Sequence, residues 1–399
     1  MKNYYILSNG RVLRKDNTIY IENAAGEKKP IPIEDVDSLY LYGEVDINTK
    51  LLVFLGQKKT PLHVFNYYGF YSGSYYPREY LHSGFLLVHQ VRHYSDPVLR
   101  LALAKELVRA SAHSMLRNVA YYANRKGDHS TAEEEREPVG EIGVDPQPPA
   151  AGSGIPQDAT VEAAVDAAGA TVFAEADPPE DPFLTEIDFG DTTEITEPLA
   201  ELRATITSLA AQIDSQPIVN AVRGIEGKMR ERYYRAWPHI LNTEWTFERR
   251  VRRPPDNEIN ALISFGNSML YTTCLSEIYR TQLTPTISYL HEPGARRFSL
   301  ALDLSEIFKP LIVDRAIFRL INTGQLQANH FDRSLNGCYL TESGKKLFLG
   351  ALQDRLSTTI KHRKLGRSVS YRHLIRLECY KLIRHLTSLE DYRAFRAWW

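Results

Sequence analysis

One stretch decides what the rest of this chain can be. Residues 128–200 contain Glu133-Glu134-Glu135, Pro146-Gln147-Pro148-Pro149, Gly152-Ser153-Gly154 and Pro178-Pro179-Glu180-Asp181-Pro182, with Phe173, Phe183 and Phe189 as their aromatics. Such a segment cannot bury enough apolar surface to offset the entropy lost on ordering. It reads as a disordered or loosely ordered acidic linker, so a packed core must come from residues 1–127 and 201–399. The segment also hides a charge asymmetry. The 399 residues have a formal net charge of −1, yet residues 131–200 hold 18 acidic residues and one basic residue, Arg136. The rest of the chain is therefore net +16. A basic body suits a polyanionic partner such as nucleic acid, although a solvated surface carries the same signature.

The hydrophobic period changes near residue 82. Before it, Tyr4-Tyr5-Ile6-Leu7-Ser8, Val12-Leu13, Thr18-Ile19-Tyr20-Ile21, Ser38-Leu39-Tyr40-Leu41 and Leu62-His63-Val64-Phe65 read as short strands. Asn9-Gly10 signals a turn, Lys15-Asp16-Asn17 a hairpin, and Asn48 a cap for a short helix over Leu51–Leu55. After it, Asp96-Pro97 starts a helix, and Leu99, Ala102, Leu103, Leu107 and Ala110 fall on one helical stripe. Nearly everything after residue 200 is helical by pattern. The expectation is an α+β chain: a small β domain over 1–82, the start of a helical domain over 83–127, the linker over 128–200, and a helical catalytic domain over 201–399. No apolar run approaches the length of a membrane helix, and the first residues lack a signal-peptide core, so a cytoplasmic protein is expected. The three cysteines, Cys274, Cys338 and Cys379, have no metal-ligand spacing and read as small buried residues.

Three segments offer chemistry. In Gly224-Ile225-Glu226-Gly227, Glu226 borders a helical stripe of Ile218, Val222, Ile225, Met229 and Tyr233, with Arg223 and Arg230 one turn away on either side. A carboxylate there is also what a buried salt bridge looks like. His291 sits between an apolar run and Pro293-Gly294, where a structural histidine is equally at home. In Leu300-Ala301-Leu302-Asp303-Leu304-Ser305-Glu306, Asp303 and Glu306 share a helix face. Two such carboxylates repel unless a cation lies between them, and a solvated acidic face is the plain alternative. One imidazole with carboxylates suits Mg²⁺ or Mn²⁺ rather than structural zinc.

Basic residues flank these segments. They are Arg230, Arg232 and Arg235, then Arg249, Arg250, Arg252 and Arg253, then Lys361, Arg363 and Arg376. Phosphate contacts need this density, and Arg230, Arg249, Arg250, Arg252, Arg253, Lys361, Arg363 and Arg376 are the expected DNA-binding residues. No zinc finger, RNA-recognition motif or Walker loop is present.

Together these segments resemble the CRISPR-associated protein one family, the spacer integrase and endonuclease, in the style of subtype I-B members. The likeness rests on Gly224–Gly227, Asn257–Asn267, His291-Glu292-Pro293-Gly294, Ser299–Asp314, Leu335–Tyr339, Ile360–Arg363 and Tyr371–Glu378. It covers about 1–127 and 201–399. The resemblance implies metal ligands at Glu226, His291 and Glu306, with Asp303 assisting. It also implies a homodimer, and two such dimers around a dimer of CRISPR-associated protein two. The implied activity joins the 3′-hydroxyl ends of short protospacer DNA to the repeat boundary of a CRISPR array. An integrase of a related mobile element, a stand-alone structure-specific nuclease or a non-catalytic DNA scaffold are the rival readings. Residues 128–200 depart from the family pattern.

Overall fold

The computed structural model describes residues 2–398 apart from 24, 78–80, 82, 128–197, 243, 253, 295–297, 334–335 and 363–364. The acidic linker and the expected DNA contacts Arg253 and Arg363 lie outside the described residues, except for Pro198 to Ala200 at the linker's end.

The first part builds two four-stranded sheets. The strands are β1 (Lys2–Ile6), β2 (Gly10–Lys15), β3 (Thr18–Asn23), β4 (Lys28–Pro32), β5 (Val36–Leu41) and β6 (Val45–Ile47). Then come helix α1 (Thr49–Gln57) and strands β7 (Leu62–Phe65) and β8 (Tyr71–Tyr75). One sheet has the order β1-β5-β7-β8, parallel except for β7–β8; the other runs β4-β3-β2-β6. Local chemistry sets the turns. Asp16 takes a positive φ of 54° between β2 and β3, as the Asp-Asn pair allows. A Cβ at Gly10 would lie 2.1 Å from the Glu22 carbonyl oxygen, so only glycine fits where β2 meets β3. Asn48 Oδ1 caps α1 by accepting from Leu51 N at 3.0 Å.

Strand β5 is buried on both faces, and its alternation splits two cores. Leu39 and Leu41 join Val12, Ile19, Leu51 and Phe54 in a small core of the β region. Tyr40 and its neighbour Tyr42 point the other way, into the large core shared with the helices. The sheet is thus a wall of the helical body.

The helices are α2 (Gly84–Ser95), α3 (Pro97–Gly127), α4 (Leu199–Ala211), α5 (Val219–Arg235), α6 (Trp237–Ile240), α7 (Glu258–Tyr279) and α8 (Ser299–Lys309). Asp96 Oδ1 caps α3 by accepting from Val98 N and Leu99 N, with Pro97 in the first turn. A π-type turn, Pro310–Asp314, links α8 to α9 (Arg315–Asn322). Helices α10 (Glu342–Ser357) and α11 (Tyr371–Leu386) complete the set. The region after residue 200 is mainly helical, as expected, and adds two short hairpins that the pattern does not show, β9 (Phe331–Asp332) with β10 (Tyr339–Leu340) and β11 (Thr359–Lys361) with β12 (Ser368–Ser370). Runs of two or three residues are too short to carry a period. Among the described residues, no helix is long and apolar enough to cross a membrane.

Candidate metal centre

Helix α5 carries Val222, Ile225, Met229 and Tyr233 into the core, while Ile218, at its N-cap, is exposed. Glu226 stands next to Ile225 at the margin of that stripe, and its side chain is 21% exposed. Arg230 lies one turn on, so it shares Glu226's face. Its guanidinium reaches Glu226 Oε1 at 3.1 Å, Ser111 Oγ on α3 at 3.3 Å, and Glu306 Oε2 on α8. Arg230 is buried, which corrects the expectation that it grips DNA: its helical position turns it inward, between two carboxylates. Lys309, one turn after Glu306, closes on Glu306 Oε1. Burial alone would push the Glu306 carboxyl up, but Lys309, Arg230 and His291 outweigh it and hold it at about 2.

Asp303 and Glu306 sit on one face, as their spacing requires, yet they do different things. Asp303 is fully buried and commits both oxygens to the loop before α8. Oδ2 accepts from Tyr289 N at 2.6 Å and Leu290 N at 2.9 Å; Oδ1 accepts from His291 N at 3.0 Å and lies 2.8 Å from His291 Nδ1. The Asp303 oxygens already act as acceptors for three backbone amides, so Nδ1 is assigned as the donor of this bond. Burial disfavours a charged imidazole, but the bond to Asp303 and the negative charges of Asp303, Glu306 and Glu226 raise the His291 pKa. Asp303 is a support for His291, the carboxylate–histidine pairing found behind metal-bound imidazoles.

Glu226, His291 and Glu306 come from α5, a loop and α8, and their charges act on one another. Among the described residues, no three His, Cys, Asp or Glu side chains converge closely enough to ligate an ion. Arg230 and Lys309 hold the carboxylates in this arrangement. The donor types, two carboxylates and an imidazole, still fit a hard divalent cation, and the space between the carboxylates already draws positive charge.

The other expected DNA contacts divide. Arg249 and Lys361 are exposed and Arg252 is half-buried. Arg250 is buried and donates to Asn260 Oδ1 at 2.9 Å and Ser264 Oγ at 2.9 Å, a second correction. Burial pushes its guanidinium down to about 10. Its place against the first turns of α7 makes it a core tie rather than a phosphate contact. Arg376 is half-buried, like Arg252. Its Nε donates to Glu277 Oε2 at 2.6 Å.

Glu277 anchors a cluster that lies outside the sequence motifs. It is fully buried on α7 and also meets Arg280 Nη1 at 2.6 Å and Arg372 Nε at 2.8 Å. Arg280 and Arg372 both pair with Asp37 of β5, tying the helices to the sheet. The available signal is the spacing of Glu277 to Arg280 and of Arg372 to Arg376, one turn apart in each case.

An α+β fold that holds a carboxylate–imidazole centre between its long helices defines the class. The chain belongs to the CRISPR-associated protein Cas1 family, whose model matches residues 4–142 and 184–354. It is 44% identical over 399 residues, the full length of both chains, to CRISPR-associated endonuclease Cas1 3 of Thermodesulfovibrio yellowstonii. It is 41% identical over 402 residues to CRISPR-associated endonuclease Cas1 of Clostridium perfringens, covering 100% of this chain and 99% of that one. Among solved structures, a CAS1 protein from Thermotoga maritima superposes with a TM-score of 0.72 at 34% identity, covering 100% of both. A casposase bound to integration product shares the fold, with a TM-score of 0.72 at 18% identity over 98% of this chain and 92% of that one.

Proposed function

We propose that this chain is a DNA endonuclease and integrase that joins the 3′-ends of short captured duplexes to the repeat boundary of a CRISPR array. One observation carries the reading. Three carboxylates, Glu226, Asp303 and Glu306, crowd around one imidazole, with Arg230 and Lys309 as their paired cations among the described residues. That excess of negative charge suits a divalent ion, Mg²⁺ or Mn²⁺, with Glu226, His291 and Glu306 as its ligands. Such an ion, when bound, supplies Lewis-acid polarisation of a phosphodiester and lowers the pKa of a bound hydroxyl. Asp303 keeps the His291 Nδ1 proton in place, so the imidazole presents a lone pair at Nε2. In the joining reaction the attacking 3′-oxygen forms one P–O bond as another breaks. The proton lost by the attacker is matched by one taken up by the leaving oxygen, so no nucleotide is consumed.

The partners come with the family. They are a protospacer duplex, a repeat-bearing DNA, a second copy of this chain, and the small CRISPR-associated protein two dimer. The cations Arg249, Arg252 and Lys361, which reach the surface, are the proposed phosphate contacts. The test incubates the purified chain and its companion with a short duplex, a repeat-bearing plasmid and Mg²⁺ or Mn²⁺. Joined product at the repeat boundary supports the proposal. Joining without repeat preference supports the mobile-element rival, and cleavage without joining a plain nuclease.

A further inference from the structure

A second layer of buried polar groups lies further along the same helices. Tyr233 stands two turns after Glu226 on α5, and Asp314 ends the π-type turn after α8. The Tyr233 hydroxyl donates to Asp314 Oδ2 at 2.9 Å. It accepts from Asn118 Nδ2 of α3 at 2.8 Å, and the same amide donates to the Pro310 carbonyl at 2.7 Å. Asn118 Oδ1 accepts from Arg315 Nε in the first turn of α9 at 2.9 Å. Asn118, Tyr233 and Asp314 are all buried, so α3, α5, the turn and α9 meet at one polar point inside an apolar core.

Burying such a set costs free energy that apolar side chains of the same shape avoid. The turn it holds is unusual in another respect. A π-type turn adds a residue to the helical path and re-aims the helix beyond it. On its far side α7 approaches through Gly266, where a Cβ would lie 2.5 Å from Val313 Cγ1. The turn is therefore gripped by α3, α5 and α7 together. Tyr233 on α5 is thereby bonded to the turn that follows α8, and one turn before it on α5 Arg230 bridges Glu226 and Glu306. Burial pushes the Asp314 carboxyl up to about 7 against the pull of Arg230 and Tyr233.

We propose that Asp314, acting through Tyr233 and Asn118, is a positioning residue whose bond to Tyr233 sets α5 against α8 so that Glu226 and Glu306 face one ion. The inference rests on the metal-dependent reading above. Its test compares Tyr233→Phe, Asp314→Asn, and the double variant Asp314→Leu with Tyr233→Phe. Asp314→Asn keeps an acceptor for the hydroxyl, and the double variant removes both members of the Tyr233–Asp314 bond, leaving Asn118 Nδ2 its bond to the Pro310 carbonyl. For strand transfer, Asp314→Asn keeps kcat within about twofold, while Tyr233→Phe and the double variant lose on the order of tenfold to a hundredfold in kcat. The KM for the duplex stays within about twofold, and calorimetric Mn²⁺ affinity falls alongside kcat. A merely structural role would lower Tm and leave kcat and Mn²⁺ affinity of the folded protein at wild-type values. That result in the double variant, or in Tyr233→Phe should the double variant not fold, overturns the proposal. Glu306→Gln is run alongside. If it joins DNA like the wild type, the metal-dependent reading itself has failed. If it is inactive while Tyr233→Phe behaves like the wild type, only the positioning role has.

Discussion

Glu306 and Glu277 are both carboxylates sealed among cations, and in both the cations overcome burial to hold the acid at about 2. They differ in their surroundings. Around Glu277 and Asp37, two carboxylates meet the three guanidiniums of Arg280, Arg372 and Arg376. Around Glu226, Glu306 and Asp303, among the described residues, three carboxylates meet one guanidinium and one ammonium, with an imidazole among them. The first cluster is saturated with positive charge and joins β5 to α7 and α11. The second is short of it and sits nearer solvent, with Glu226 21% exposed against 0% for Glu277. Burial and a depressed pKa alone do not separate a site from a strut. The balance of charge among the described residues and the presence of an imidazole do.

The sharpest way to break the comparison is stability. Glu277→Ala leaves three guanidiniums without their shared acid, and losses of this kind run to ~3–5 kcal/mol. Glu226→Gln removes one of three crowded carboxylates at a partly exposed position and costs under about 1 kcal/mol. Thermal or urea unfolding of the two variants reads the difference, and equal losses would mean that the two clusters are alike.

Acid offers a second probe. The Glu277 carboxyl lies at about 2 in the fold against an ordinary 4.5. A depressed carboxylate contributes stability above its unfolded value and loses it as pH falls through the folded one, here between about 4.5 and 2, for a total of ~3 kcal/mol. Glu277→Gln removes that slope. His291 has the opposite sign: its raised pKa contributes stability that is complete below its ordinary 6.5 and lost as pH rises through the folded value. An acid-unfolding profile of Glu277→Gln that matches the wild type would contradict the assigned ion pairs.

The smallest effect separates surface from buried arginines. Replacing Arg249, Arg252 and Lys361 by Gln flattens the dependence of log DNA affinity on log salt by about 0.9 for each phosphate no longer neutralised. Arg250→Gln leaves that slope unchanged and lowers Tm instead, because its partners Asn260 and Ser264 lie inside the protein. A slope change in Arg250→Gln alone would reverse the division.

Much of the fold is legible in the sequence. Asn48 and Asp96 announce their helices because a cap is a local exchange between a side chain and the next few amides. The stripe of α5 is visible because helical period and burial coincide. Side-chain direction is not legible. Arg230 and Arg250 count as surface charge in the sequence, yet each turns inward to a partner distant in the chain or around a turn. Parallel pairing of β1 with β5, and of β5 with β7, is equally hidden, since strands so far apart in the chain leave no local signal. Asp303 is recognisable as an acidic neighbour, but its bonds to three successive amides depend on how the loop folds back over α8.

The central claim is that Glu226, His291 and Glu306 form a divalent-metal centre, and Mn²⁺ titration followed by electron paramagnetic resonance tests it most directly. The wild type is predicted to bind an ion that is lost on replacing all three residues by Ala, while Glu277→Gln retains it. A triple variant that binds Mn²⁺ as the wild type does would contradict the assignment.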